Sequence, residues 1–240
     1  MLTLHDTYSK DTKNSGQPTR KISRALLCNQ PESLIKFYNP MTNNTISGRN
    51  ALNRPCTVHF SEQGAADRAE VEQFIRNIFY QACGARVRFF LPTLMSLRDL
   101  DGKLIAACGI RNAGTAPLFL ENYTDKPVEQ LISEQEGSIV LRSDIVEIGN
   151  YSVSEMGLSR LLICAIFDQL HATSKQWAVF TAIQLVRNAL IKQNIFPKIL
   201  CDANLDRLPP EEQDEWGSYY EQKPQVMAIR RMERRRETRS

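Results

Sequence analysis

The sequence predicts a mixed α/β fold, an open central sheet with helices on both faces. Two stretches and one total point to it. Between Asp144 and Asn194, DIVEIGNYSV, SEMG, GLSRLLICAIFDQLHATSK, WAVFTAI and QLVRNALIKQN read as strand, turn, helix, strand and helix. A parallel strand pair needs a crossover of this kind, usually helical. TLMSLRDLDGKLIAACGIR instead reads as an antiparallel hairpin turning at Asp101–Gly102. A hydrophobic fraction of 42% over 240 residues supports one large domain, with or without appendages.

Taken in order, residues 1–54 are rich in Ser, Thr, Asn, Lys and Pro and read as a polar arm. Within it only SRALLCNQPESLIKFY is amphipathic enough for a short helix. The folded body is expected over 55–229. It opens with the alternating strand CTVHF, followed by an amphipathic helix carrying Val71, Phe74, Ile75, Ile78 and Phe79 at helical spacing. RVRFFLP, with Arg86 and Arg88, leads into the hairpin. An irregular segment containing LFLENY and a short helix around PVEQLIS precedes the strand at 144–153. After the second crossover, KILCDA and PQVMAIR read as strands flanking a proline-marked polar loop. The order β-α-β-β-irregular-β-α-β-α-β-β is that of a mixed sheet.

Several function classes are disfavoured. The longest apolar runs, LLICAIF and WAVFTAI, fall far short of the roughly 20 residues of a membrane span. No secretory signal pattern opens the chain. Six scattered cysteines (28, 56, 83, 108, 164, 201) contain no CxxC pair, so reduced, structural thiols and a cytoplasmic location are expected. Histidines 5, 59 and 171 do not cluster, and no metal is expected. Net charge is +3, but the tail at 230–240 holds six of the 30 basic side chains and the body is nearly neutral. A nucleic-acid binder would rest on that tail alone. GxGxxG, GKS/T and GxSxG motifs are all absent.

The strongest chemical signal is Glu147, a carboxylate inside the apolar VEIGNY. Burial would raise its pKa and suit it to general-base work; alternation onto a solvated face, or an arginine partner, is the structural alternative. Asn150 either orients a carbonyl or caps the turn. SEMGLSRLL places Gly157 before a helix start, where exposed amides with Ser159 and Arg160 suit a phosphate. Thr181 ends the second strand, and Arg187 and Asn188 lie on the helix after it. Trp216, Tyr219 and Tyr220 either wall a pocket or plug a sheet edge.

LFLENYTDKPVEQLIS, DIVEIGNYSV, WAVFTAIQLVRNALIKQNI and WGSYYEQKPQVMAIR together resemble the thermostable hemolysin family, over roughly 55–230. That family is thought to resemble Gcn5-type N-acyltransferases, and among them the acyl-homoserine-lactone (autoinducer) synthases. The resemblance implies strands near 145–152 and 177–182 that splay to admit a pantetheine arm. It implies no tightly bound cofactor, with acyl-CoA or acyl carrier protein (ACP) as co-substrate and acyl donor, and a small amine as acceptor. The donor site would comprise Tyr151, Ser154, Gly157, Leu158, Ser159, Arg160 and Thr181. The acceptor side would comprise Glu121, Tyr123, Asn150, Arg187 and Trp216. Glu147 would deprotonate the amine, and Tyr219 or Tyr220 would protonate the leaving thiolate. Only the central glycine of the usual phosphate loop is kept, which favours a carrier-protein donor. EIGNY also lacks the Ser-Arg-Phe that follows the synthases' glutamate. The same resemblance admits a homodimer, a directly membrane-active protein built on the helices at 66–83 and 158–171, or a fold that has lost catalysis.

Overall fold

The computed structural model describes residues 46–49 and 55–231, with side chains from Cys56. The patch at 23–38 and the arginines from 234 onward lie outside the described residues. Eight strands form one sheet: β1 (Ile46–Arg49), β2 (Pro55–Ser61), β3 (Thr93–Arg98), β4 (Leu104–Asn112), β5 (Ile145–Val153), β6 (Trp177–Ala182), β7 (Lys198–Asp202) and β8 (Gln225–Arg230). Their spatial order is β1-β2-β3-β4-β5-β6-β8-β7. Every neighbouring pair is antiparallel except β5–β6. Two boundaries move. A strand, β1, lies inside the stretch read as an arm and pairs with β2. Arg230 ends β8 instead of starting the tail, with its guanidinium 6.0 Å from the Trp177 ring centre.

Alternation along the strands supplies two apolar faces. On one, Met95, Leu97, Val146, Ile148, Ala178 and Phe180 pack with Leu162, Ile163, Ile166 and Leu170 of α3 (Ser159–Ala172) and Leu190 of α4 (Gln184–Ile191). The α3 residues recur at helical spacing, so one stripe meets the sheet. On the opposite face, Ile145, Trp177, Val179, Val226 and Ala228 pack with Val128 and Ile132 of α2 (Val128–Glu136), and with Leu118, Leu120 and Tyr123 around a 3-10 turn at Phe119–Tyr123. Val71 and Ile75 of α1 (Arg68–Cys83) pack on Leu94, Leu104 and Ala107. The short α5 (Pro210–Gln213) lies in the polar loop before β8.

The decisive irregularity is in β5. Ala107 pairs with Ser152 but Gly109 pairs with Gly149, so two residues of β5 oppose one of β4. This is a β-bulge. Asn150 takes the left-handed conformation there, φ 50°, which asparagine tolerates better than most residues. Its side chain accepts the Leu91 N–H at 3.0 Å and donates to the Phe89 carbonyl at 3.1 Å. The paired glycines make this possible. A Cβ on Gly109 would lie 2.7 Å from both Asn150 Oδ1 and Leu91 Cβ. Bent by the bulge, β5 leaves β6: their pairing runs from Ile145↔Trp177 to Ile148↔Phe180 and stops, although β5 continues to Val153 and β6 to Ala182.

Candidate functional site

Glu147 sits on β5 between Ile145 and Gly149, one residue before the strands part, and is 3% exposed. Its carboxylate accepts two backbone N–H groups, Leu120 to Oε1 at 2.8 Å and Phe119 to Oε2 at 3.1 Å. Arg111, opposite it on β4, approaches Oε2 to 3.8 Å. Burial pushes the Glu147 pKa up; the two amides and the Arg111 charge pull against it without cancelling it. The result is a desolvated carboxylate held rigidly, with lone pairs left over on both oxygens.

A cavity of about 540 Å³ opens beside it. Its wall takes Ile148, Ala178 and Phe180 from the α3 face of the sheet, and Glu147, Arg111 and Phe119 from the opposite face. The cavity therefore passes through the sheet where β5 and β6 separate. Phe89, Phe90 and Leu91, from the segment that Asn150 holds, close one side. Rings of the polar loop roof it. Trp216 lies 5.5 Å from Tyr219 and 6.0 Å from Phe119 between centroids, and Phe79 of α1 joins them at 6.5 Å from Trp216. The roof is fastened to the end of α1. Ser218 N–H donates to the Cys83 carbonyl at 2.8 Å, Arg86 N–H to that of Glu215 at 2.6 Å, and Arg88 pairs with the Glu215 carboxylate at 2.5 Å. Gly217, φ 51°, turns the loop so tightly that a Cβ there would come within 2.1 Å of the Cys83 oxygen. Size and mixed lining suit a small-molecule or acyl ligand.

A family model described as "Thermostable hemolysin" matches residues 61–234. The chain belongs to the thermostable hemolysin family. No curated protein matches it in sequence. Among solved structures it is similar to the AHL synthase LasI, at 12% identity and TM-score 0.51, covering 75% of this chain and 91% of that one. It is also similar to FeeM, an N-acyl amino acid synthase from uncultured soil microbes, at 10% identity and TM-score 0.49, covering 75% and 92%. A putative N-acetyltransferase from Lactobacillus plantarum follows at 10% identity and TM-score 0.46, covering 74% and 99%. This hemolysin-family chain thus has the mixed α/β fold expected from its sequence, and shares it with that AHL synthase.

The site residues expected in this family member divide into groups. Glu147, Tyr123, Asn150, Tyr151, Thr181, Trp216 and Tyr219 all line the cavity. Thr181 presents a buried hydroxyl with no hydrogen-bond partner. Tyr151 donates its hydroxyl to the Ser159 carbonyl at 3.2 Å, and burial pushes its pKa up to about 12. Tyr220 stands behind the wall, its hydroxyl 2.5 Å from that of Tyr123. Burial pushes Tyr220 up to about 12, and Tyr123 and Tyr219 higher still.

Ser154, Gly157, Leu158, Ser159 and Arg160 lie outside the cavity wall. The amides of three of them are already used: Ser154 N–H donates to Ile105, Leu158 to Glu155 and Ser159 to Met156. Leu158 is a core residue, 4% exposed. A Cβ on Gly157 would meet nothing within 4 Å, so no close backbone contact calls for glycine there. Arg187 lies outside the wall on α4, with its Nε buried and unpartnered.

Glu121 also lies outside the wall, because its carboxylate is spent on structure. It receives Arg142 at 2.6 and 2.7 Å and the amides of Leu118 and Val128 at 2.9 and 3.2 Å. Burial would raise its pKa, but the Arg142 hydrogen bond and the amides hold it below the usual carboxylate value. Arg111 went unnoticed in the sequence, where an arginine at a strand end resembles any solvated charge. So did the glycine pair 109/149, although a glycine inside a strand pattern marks a bulge or a close approach.

The structure also bears on the other expectations. All five described cysteines, including buried Cys56 and Cys108, are thiols outside any disulfide. Among the described residues no group of His, Cys, Asp and Glu could hold a metal, and no helix is long and apolar enough to cross a membrane. The apolar stripes of α1 and α3, the helices a membrane-active reading would need, are packed into the core.

Proposed function

We propose that this protein is an acyltransferase, moving an acyl group from an acyl-CoA or acyl-ACP thioester to a small amine by direct attack. The observation that carries this is the cavity through the β5–β6 gap with Glu147 on its wall. The edges of β5 beyond Ile148 and of β6 beyond Phe180 that face the gap, where the two strands no longer pair with each other, suit the amides of a pantetheine arm, and the orphan Thr181 hydroxyl supplies one further polar group. The apolar and aromatic lining suits an acyl chain. The amides of Ser154, Leu158 and Ser159 are already occupied, which favours a carrier-protein donor over free CoA, whose diphosphate needs more donors.

In the reaction, an acceptor arriving as an ammonium first gives one proton to Glu147, directly or through a water. The amine lone pair then attacks the thioester carbon, forming the C–N bond, and backbone N–H groups hold the oxyanion. Collapse of the intermediate breaks the C–S bond. The amine's second proton goes to the departing thiolate, through Tyr219 or through Tyr123, whose hydroxyl is bonded to Tyr220. Each tyrosine would act as a relay, taking the amine's proton as it gives up its own, so that no phenolate forms, a species its raised pKa disfavours.

The test is thiol release from acyl-ACP and acyl-CoA of several chain lengths, with a panel of amines, by wild type and E147Q. Amine-dependent release by wild type and its loss in E147Q support the reading. No release from any donor overturns it.

A further inference from the structure

We infer that the acceptor is an α-amino acid with an apolar or aromatic side chain, its carboxylate held by Arg111 and its amine presented to Glu147. This rests on the acyltransferase reading and adds a substrate class to it.

The other arginines with little exposure make the argument by contrast. Arg68 donates from all three of its nitrogens: it bonds Glu72 at 2.8 Å and the carbonyls of Ser61, Leu91 and Pro92 at 3.0, 2.9 and 2.7 Å. Arg142 does so too, holding Glu121 and Glu129 at 2.6–2.7 Å and the Ala113 carbonyl at 2.9 Å. Arg111 lines the cavity and donates Nη1 to the Pro117 carbonyl at 2.9 Å. Its distance to Glu147, 3.8 Å, exceeds the roughly 2.7–2.9 Å of a charge-assisted hydrogen bond. No described residue takes its Nε or Nη2 hydrogens. Arg86 and Arg88, the other cations on the wall, are exposed, and Arg88 already pairs with Glu215.

The cavity therefore holds a fork-shaped cation with open donors, and a desolvated carboxylate 3.8 Å away. A bidentate carboxylate is what such a fork binds best. The group that must reach Glu147 is an amine. An α-amino acid carries both on one carbon, so a single small molecule answers both sites at this separation. Phe119, whose amide bonds Glu147, and Trp216 beside it put aromatic surface where the side chain would lie.

The experiment compares tyrosine with tyramine, phenylalanine with phenethylamine and leucine with isopentylamine as acceptors, for wild type, R111K and R111Q. With wild type, each amino acid is expected to exceed its decarboxylated partner in kcat/KM by about ten- to a hundredfold, the value of a charged hydrogen-bonded contact. R111Q erases that preference, mainly through KM for the amino acid; because the Arg111 charge also acts on Glu147, the readout is the ratio within each pair and not the rate of either member. R111K retains an intermediate preference. Equal turnover of both members of each pair by wild type overturns this inference and leaves the acyltransferase reading standing. Thioester turnover with no acceptor of either kind overturns both.

Discussion

Replacing Glu147 by glutamine separates structural from chemical roles in one residue. The amide oxygen of the variant still accepts one N–H, that of Leu120 or of Phe119. The other amide then faces an NH2 group and loses its acceptor, which costs about 1–3 kcal/mol for a buried donor. Arg111 loses its charged neighbour at 3.8 Å. Against this, the variant removes a charge whose burial already disfavours it. The net stability change at neutral pH is therefore expected to be small, within about 2 kcal/mol either way. In a chain of this size about 1 kcal/mol shifts Tm by roughly 2–4 °C.

The pH dependence carries the sharper signature. The folded pKa of Glu147 lies above its unfolded value, so between the two the native state binds the extra proton and wild type loses stability as pH rises. E147Q lacks that slope, so the difference between their melting curves changes through this window, in favour of the variant as pH rises. Activity moves the opposite way. A base must be deprotonated, so the acid limb of kcat/KM for wild type lies above the ordinary carboxylate range. E147Q loses about 10²- to 10⁴-fold, the usual contribution of a positioned base. The assays are urea or thermal unfolding from pH 4 to 8 and thiol release over the same range. Turnover by E147Q within tenfold of wild type, with the acid limb unmoved, would falsify the base assignment.

Other expectations follow from single contacts. G217A puts a Cβ 2.1 Å from the Cys83 oxygen in a backbone conformation natural only to glycine; a strain of about 1–3 kcal/mol should loosen the roof, read as faster hydrogen exchange at Arg86 and Ser218. N150A removes the partners of Leu91 N–H and Phe89 C=O and leaves alanine at φ 50°. Its loss of about 1–3 kcal/mol per orphaned group should be only partly recovered in N150G, which relieves the strain but not the bonds; equal melting of N150G and wild type would rule out the side-chain clamp. R142A should be most damaging near neutrality. The Glu121 pKa is lowered in the folded state, so its contribution is present above the unfolded value and lost as pH falls through the folded one. The gap between R142A and wild type in denaturant melts should shrink in acid.

Local pattern was enough for every strand beyond Cys56 and for α1 to α4, because each buries one face at its own period: Val71 and Ile75 in α1, Leu162, Ile166 and Leu170 in α3; the short α5, which buries no residue, was read as loop. The hairpin was equally plain, since Asp99 to Gly102 make a turn from their own side chain and glycine: Asp99 accepts the amides of Asp101 and Lys103. Glu147 was also visible, as a charge in an apolar strand. Its partners were not. The amides of Phe119 and Leu120 come from 28 and 27 positions away, and their arrival depends on how the 3-10 turn packs over β5. The phosphate turn shows the converse: a glycine before a helix is local, but whether its neighbours' amides are open depends on carbonyls such as that of Ile105, on another strand.

What the residues dictate alone is therefore periodic: which segments are helix or strand, which face each buries, and that one carboxylate stands among apolar residues of a strand. What they leave open is register. The bulge at Asn150, the parting of β5 from β6, the open donors of Arg111 and the roof fastened at Gly217 all arise from pairs of residues distant in the chain and opposed in space. Their energies depend on distances of a few ångströms that no local pattern encodes.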